Sequence, residues 1–281
     1  MALVTPAAST HSPADATVPP VVVFEGVGLA FDEKVVLKNV SFELKPAHTK
    51  VILGGSGSGK STILKLILGF LKPDAGSIWI NGQRIDTMSE PDLMRVRDGI
   101  GMVFQEGALF DSLTVEENVG YRLYDETDTP FDRARARVDE VLGFIGLSEF
   151  TDRMPSALSG GQRRRVAIAR AIASKPGLIL YDEATTGLDP MLATTVDQEM
   201  VKLRDLEGVT SVIVTHQLRD AFFVATHAAR RVNGRTEVVA ADERKAEEAE
   251  FLMLRDGVVA FEGSASELRA SRDPYIRDFL S

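Results

Sequence analysis

The segment Gly54-Gly55-Ser56-Gly57-Ser58-Gly59-Lys60-Ser61 carries the most specific chemical signal in the chain. It fits G-x-x-x-x-G-K-[ST], a loop whose successive backbone N–H groups curl into an anion nest. Glycine is required there because a Cβ would keep the backbone from closing around phosphates. The Lys60 ammonium can reach the outer phosphates of a nucleotide, and the Ser61 hydroxyl can ligate Mg2+. Thr62 stands beside them at the start of the following helix, whose positive N-terminal end adds to the anion site.

Two more constellations supply what such a loop lacks. Leu178-Ile-Leu-Tyr-Asp182-Glu183 reads as a buried strand followed by two carboxylates at its carboxyl end, where open α/β sheets bind their ligands. Asp182 can hold Mg2+ through water, and Glu183 can polarise an attacking water as general base. Alone, an acidic pair after a strand is more often a helix N-cap; the phosphate loop reverses that preference. In Leu158-Ser159-Gly160-Gly161-Gln162, Ser159 and Gln162 have the spacing of a capping box. A helix beginning there presents free N–H groups to an anion, although the same pattern also serves as a purely structural cap.

The elements that must position these residues alternate along the chain. Short aliphatic runs at Lys50–Leu53, Gly177–Tyr181 and Val209–Thr215 are flanked by helical segments such as Ser61–Leu68, which predicts an α/β protein with a mainly parallel sheet. Strands are expected from Val21, at Leu37–Leu44 and around Gly76–Asp86, and helical patterns from Pro91 to about Ser159. Residues 233–250 read as a solvated polar helix or linker. A hairpin is expected at Phe251–Phe261, turned by Asp256-Gly257, and one terminal helix near Ser266–Leu280.

Composition sets the outer bounds. The 281 residues hold 44% hydrophobic and 26% charged side chains, the balance of a soluble globular protein. No apolar run approaches the ~20 residues needed to cross a bilayer, which excludes a channel or permease. The absence of cysteine excludes thiolate catalysis, Cys-ligated zinc and iron–sulfur clusters, and agrees with a cytosolic setting. A net charge of −9 argues against a nucleic-acid binder relying on bulk positive charge. Residues 1–20, rich in Ala, Pro, Ser and Thr, read as a disordered tail and not a secretory signal.

The Leu158–Gln162 sequence LSGGQ, lying between the phosphate loop and Asp182-Glu183, resembles the signature of ATP-binding-cassette (ABC) ATPases. The resemblance covers the chain from Val21 to its end and implies a P-loop NTPase (RecA-like) core with an antiparallel β subdomain. It also implies a helical signature subdomain inserted at about 91–160, all within one nucleotide-binding domain over 21–281. By the same resemblance Phe31 stacks on adenine, Gln105 joins metal and water to the helical insertion, and His216 contacts the γ-phosphate. Asp189, in Gly187-Leu-Asp-Pro190, resembles the aspartate of the loop that crosses to a partner. The family's architecture implies a dimer that sandwiches two ATP molecules, with Ser159, Gly160, Gly161 and Gln162 of one copy closing over the phosphate loop of the other. Two residues depart from the family pattern, Gly55 and Ala184, each where proline is usual; neither removes a donor, acceptor or charge, so hydrolysis is expected to survive.

The stretch QEGALFDSLTVEENV, starting at Gln105, is similar to the ATPases of Mla-type and Mce-associated lipid transporters. That similarity implies a permease partner docked at Ala108–Phe110, a Mce-type lipid-binding protein in the complex, no nucleic acid, and a position on the inner face of a bacterial inner membrane. An importer ATPase, for example for amino acids, is the alternative. A soluble mechanochemical ABC ATPase is a third reading, but too few residues separate Lys60 from Leu158 for a long coiled coil.

Overall fold

The computed structural model describes residues 18–105, 107–232 and 234–281. The tail expected at 1–20 therefore lies, over residues 1–17, outside the described residues. The strands β1 (Val22–Phe31) and β2 (Lys34–Leu44) form an antiparallel pair. Their inner rings, Phe24 and Phe42, stack with centroids 4.6 Å apart. β3 (Thr49–Gly54) leads through the phosphate loop into α1 (Lys60–Ile67). β4 (Ala75–Ile80) and β5 (Gln83–Arg84) then return to the first sheet and give it the order β2-β1-β4-β5.

After α2 (Glu90–Arg97), β6 (Ile100–Val103) forms an edge of the second sheet. The helices α3 (Val115–Asp125), α4 (Phe131–Phe144) and α5 (Gly160–Ala173) follow. β7 (Leu178–Asp182), α6 (Pro190–Glu207), β8 (Thr210–Val214) and α7 (Leu218–Thr226) restore the α/β alternation. A two-stranded ribbon, β9 (His227–Val232) and β10 (Arg235–Ala240), is followed by α8 (Glu243–Ala246). The chain ends with β11 (Ala249–Arg255), β12 (Val258–Ser264), α9 (Ala265–Ala270) and α10 (Pro274–Leu280).

The second sheet has the order β12-β11-β3-β8-β7-β6, parallel from β11 to β6 with β12 antiparallel at its edge. Parallel strands covered on both faces need continuous apolar runs. That is why Val51-Ile52-Leu53, Leu178–Tyr181 and Phe251–Leu254 are buried end to end. One core cluster joins α1 and the antiparallel sheet to one set of these side chains, and another joins α3, α4 and α5 to a second set.

Three expectations are corrected. The helical stretch from Pro91 is broken by β6, whose Gly101 lies so close to α5 that a Cβ would come within 2.7 Å of the Ala171 carbonyl oxygen. A short run with an internal glycine carries no clear strand signal. The polar interlude 233–250 is not only helix or linker: β10 pairs with β9 along its length. That ribbon is fixed from outside, since buried Arg204 donates to the carbonyls of Val224 and His227 while Asp205 accepts from the Ala229 N–H. The single terminal helix is two, because the Ser264–Glu267 capping box starts α9 and Asp273-Pro274 starts α10 afresh.

Candidate functional site

The phosphate loop is shaped by glycines in conformations other residues resist. Gly54 has φ 151°, and a Cβ on it would lie 2.6 Å from both the Leu254 carbonyl oxygen and the Ser58 hydroxyl. Gly59 has φ 103° and presses on Leu37 of β2. Gly55 has open space around it, so the departure from proline costs no contact. Lys60 folds back over the loop and donates to the carbonyls of Gly54 (2.8 Å) and Gly55 (3.0 Å). Burial lowers its pKa from the ordinary lysine value, against the raising pull of Glu183 and Asp182.

Parallel pairing brings the carboxylates to the loop. β3 neighbours β8, and β8 neighbours β7, so the carboxyl ends of all three strands gather on one edge. Ser61 donates its hydroxyl proton to Asp182 Oδ1 at 3.2 Å. Burial raises the Asp182 pKa, the Ser61 hydrogen bond lowers it, and the Glu183 charge raises it again. A hydroxyl and a carboxylate side by side form a hard oxygen pair that suits Mg2+, an ion that completes its shell with water and substrate phosphates.

Glu183 adopts φ 52° just past β7 and donates its backbone N–H to the Val214 carbonyl (2.9 Å). For a non-glycine residue this left-handed conformation is strained, and here it is held by the neighbouring strand. His216 Nδ1 donates to Glu183 Oε2 at 2.7 Å, which leaves Nε2 unengaged by that carboxylate. Thr186 donates to the same Oε2 at 2.7 Å. Sequence reading missed Thr186, although its position three residues after Glu183 could have pointed to it.

One cleft of about 650 Å3 is lined by Phe31, the loop from Gly54 to Thr62, Gln105, Glu183 and His216. The same cleft is walled by Val36 and Phe279, which sequence reading also missed. Ser58 belongs to the loop but is turned away, its hydroxyl against Gly54. Such an arrangement can bind a nucleoside triphosphate, hold a water by a carboxylate, and activate it.

The remaining expected residues do not line this cleft. Ser159 accepts from the Gln162 N–H (3.3 Å), and the Gln162 side chain accepts from the Ser159 N–H (2.8 Å), so α5 starts with the capping box. Gly161 is pressed against Leu192, where a Cβ would come within 2.8 Å. Asp189 caps α6 by accepting from the N–H groups of Met191 and Leu192. The patch after Gln105 is held from beneath: buried Asn118 accepts from the Phe110 N–H and donates to three carbonyls, while Arg170 donates to those of Gly107 and Ala108. Phe110 itself is exposed.

The model of the ABC transporter family matches residues 37–186. Among curated relatives, the Escherichia coli K12 intermembrane phospholipid transport system ATP-binding protein MlaF is 36% identical over 87% of this chain and 82% of its own length. The methionine import ATP-binding protein MetN of Carboxydothermus hydrogenoformans is 39% identical over 70% of this chain and 58% of its own length. Among solved structures, the dimeric post-hydrolysis cassette MJ0796 bound to ADP and Pi superimposes with a TM-score of 0.69 at 32% identity, covering 86% of this chain and 98% of that one. With the family model spanning more than half of the chain and these relatives covering most of it, the chain belongs to the ABC transporter family as an ATP-hydrolysing cassette.

Proposed function

We propose that this cassette powers a multi-chain transporter that moves phospholipid or other hydrophobic molecules between membranes. The extent of likeness carries the reading: the match to the phospholipid-transport relative takes in 87% of this chain and 82% of that protein, whereas the match to MetN takes in 70% of this chain and 58% of that protein.

In the catalytic cycle, Lys60 exchanges the Gly54 and Gly55 carbonyls for the β- and γ-phosphates of ATP. Phe31 stacks on the adenine. Glu183, oriented by His216 and Thr186, holds the attacking water and takes its proton. His216 keeps Nδ1 on Glu183 and offers Nε2 to the γ-phosphate. Ser61, Asp182 and Gln105 would hold Mg2+, which would supply neutralisation of the charge on the outer phosphates. Ser159, Gly160, Gly161, Gln162 and Asp189 lie outside their own chain's cleft, and this supports a homodimer in which each copy completes the other's site. The Ala108–Phe110 patch receives an integral membrane permease, which places the cassette peripherally on the inner face of the membrane. A Mce-type lipid-binding protein belongs to the same assembly.

Purification from native membranes in gentle detergent, with mass spectrometry of the co-purifying chains, tests the reading. A polytopic permease with a single-span Mce-like protein supports it. A permease with a soluble solute-binding protein replaces it by amino-acid import, the reading favoured by the likeness to MetN.

A further inference from the structure

We propose that the last helix of the chain is part of the nucleotide site, with Phe279 as an additional nucleotide-contacting wall. Three observations carry this. Phe279 lines the same cleft as Phe31, Lys60 and Glu183 although it lies near the end of the chain. On the outer flank of the loop, Tyr275 and Arg255 line a second hollow together with Gly55, Ser56, Gly57 and Ser58. Tyr275 and Phe279 stand four residues apart on one helix face, with ring centroids 6.3 Å apart. The helix therefore runs beside the phosphate loop with an aromatic ring on each flank.

The helix is anchored well enough to act as a wall. Asp273 caps it by accepting from the N–H groups of Tyr275 and Ile276, and Pro274 occupies its first turn. Ile276 is buried in the cluster that contains Leu53 of β3, the strand that leads into the loop, and Met253 of its neighbour β11. The Arg255 guanidinium lies 4.7 Å from the Tyr275 ring centroid. Phe279 is only half-buried by protein, so part of its ring is left for whatever fills the cleft. A nucleotide there covers the ring and gains an apolar contact from which water is excluded. Binding and the position of the helix are then coupled in both directions.

The inference rests on the cleft holding ATP, and the test separates the two. In a chain whose single tryptophan, Trp79, is replaced by Phe, Phe279→Trp places a reporter on the wall. Titration with a non-hydrolysable ATP analogue is expected to change its emission, saturating at the concentrations at which calorimetry detects binding. Phe279→Ala is expected to weaken analogue binding by about three- to tenfold, the loss of one aromatic contact. Phe279→Leu, which keeps apolar packing, guards against a folding artefact and should weaken binding in the same direction. The exposed Arg277→Ala on the same helix should leave affinity unchanged. Flat emission with undiminished calorimetric binding overturns the role of Phe279 alone. Absence of calorimetric binding by the unmodified chain overturns the nucleotide reading and this inference with it.

Discussion

Glu183 is held in a left-handed conformation by the Val214 carbonyl and fixed at its carboxylate by His216 and Thr186. A side chain constrained at both ends keeps one oxygen aimed, which is what a general base needs. Glu183→Gln is expected to lower phosphate release by about 10²- to 10⁴-fold while analogue binding persists. Turnover at the native rate would remove Glu183 from the role of base. Lys60→Ala is expected to abolish most nucleotide affinity, because its ammonium is the cation that the loop encloses. Unchanged binding by calorimetry would overturn the loop's assignment.

At the scale of elements, α6 and α7 begin directly after the two loops that carry Asp189 and His216. They are joined by a carboxyl pair. Asp197 of α6 and Asp220 of α7 are 1% and 3% exposed, each with a buried carboxyl oxygen that has no hydrogen-bond partner, and Arg219 donates to Asp220 and to the Pro190 carbonyl. Burial first, and then the Asp220 charge, pushes the Asp197 pKa up to about 8 from an ordinary 3.8. The native state thus keeps a proton that the unfolded chain releases. The stability it supplies is complete below the unfolded value and is lost as pH rises toward 8. Asp197→Asn keeps the neutral form at every pH, so denaturant unfolding should show a flatter decline in stability between pH 4 and 8 than the unmodified chain. An identical slope would mean that Asp197 is ionised in the native state.

At the scale of the whole molecule, the cleft lined by Lys60 and Glu183 and the Ser159–Gln162 cap do not meet within one chain. The cleft lies at the carboxyl edge of the parallel sheet, while the Ser159 cap opens α5 outside it. A Lys60→Ala chain and a Ser159→Arg chain should each be inactive alone, and mixing them should restore partial ATPase activity through mixed dimers. No recovery on mixing would argue against sites shared between copies. Phe110 gives the corresponding test toward the membrane. Its ring is exposed beside Tyr121 and Arg170 on a backbone clamped by Asn118. Phe110→Asp should leave basal ATP hydrolysis unchanged and abolish association with the permease in detergent. Retained association would place the contact elsewhere.

What the sequence determined by itself was chemistry written in consecutive residues. The glycines of the phosphate loop, the Ser159–Gln162 cap, the Asp256-Gly257 turn and the buried runs of the parallel strands are local, because each depends on backbone conformation or on burial of one short segment. Tertiary structure decided what depends on residues far apart in the chain. The strand Ile100–Val103 forms because Leu178–Tyr181 offers it hydrogen bonds, and the ribbon after His227 forms because Arg204 and Asp205 satisfy its backbone. Phe279 reaches the cleft because Asp273-Pro274 starts a new helix and Ile276 docks it on the core. Propensity and periodicity act over one or two turns or a single strand, whereas these placements come from hydrogen bonds and apolar burial that only the folded chain brings together.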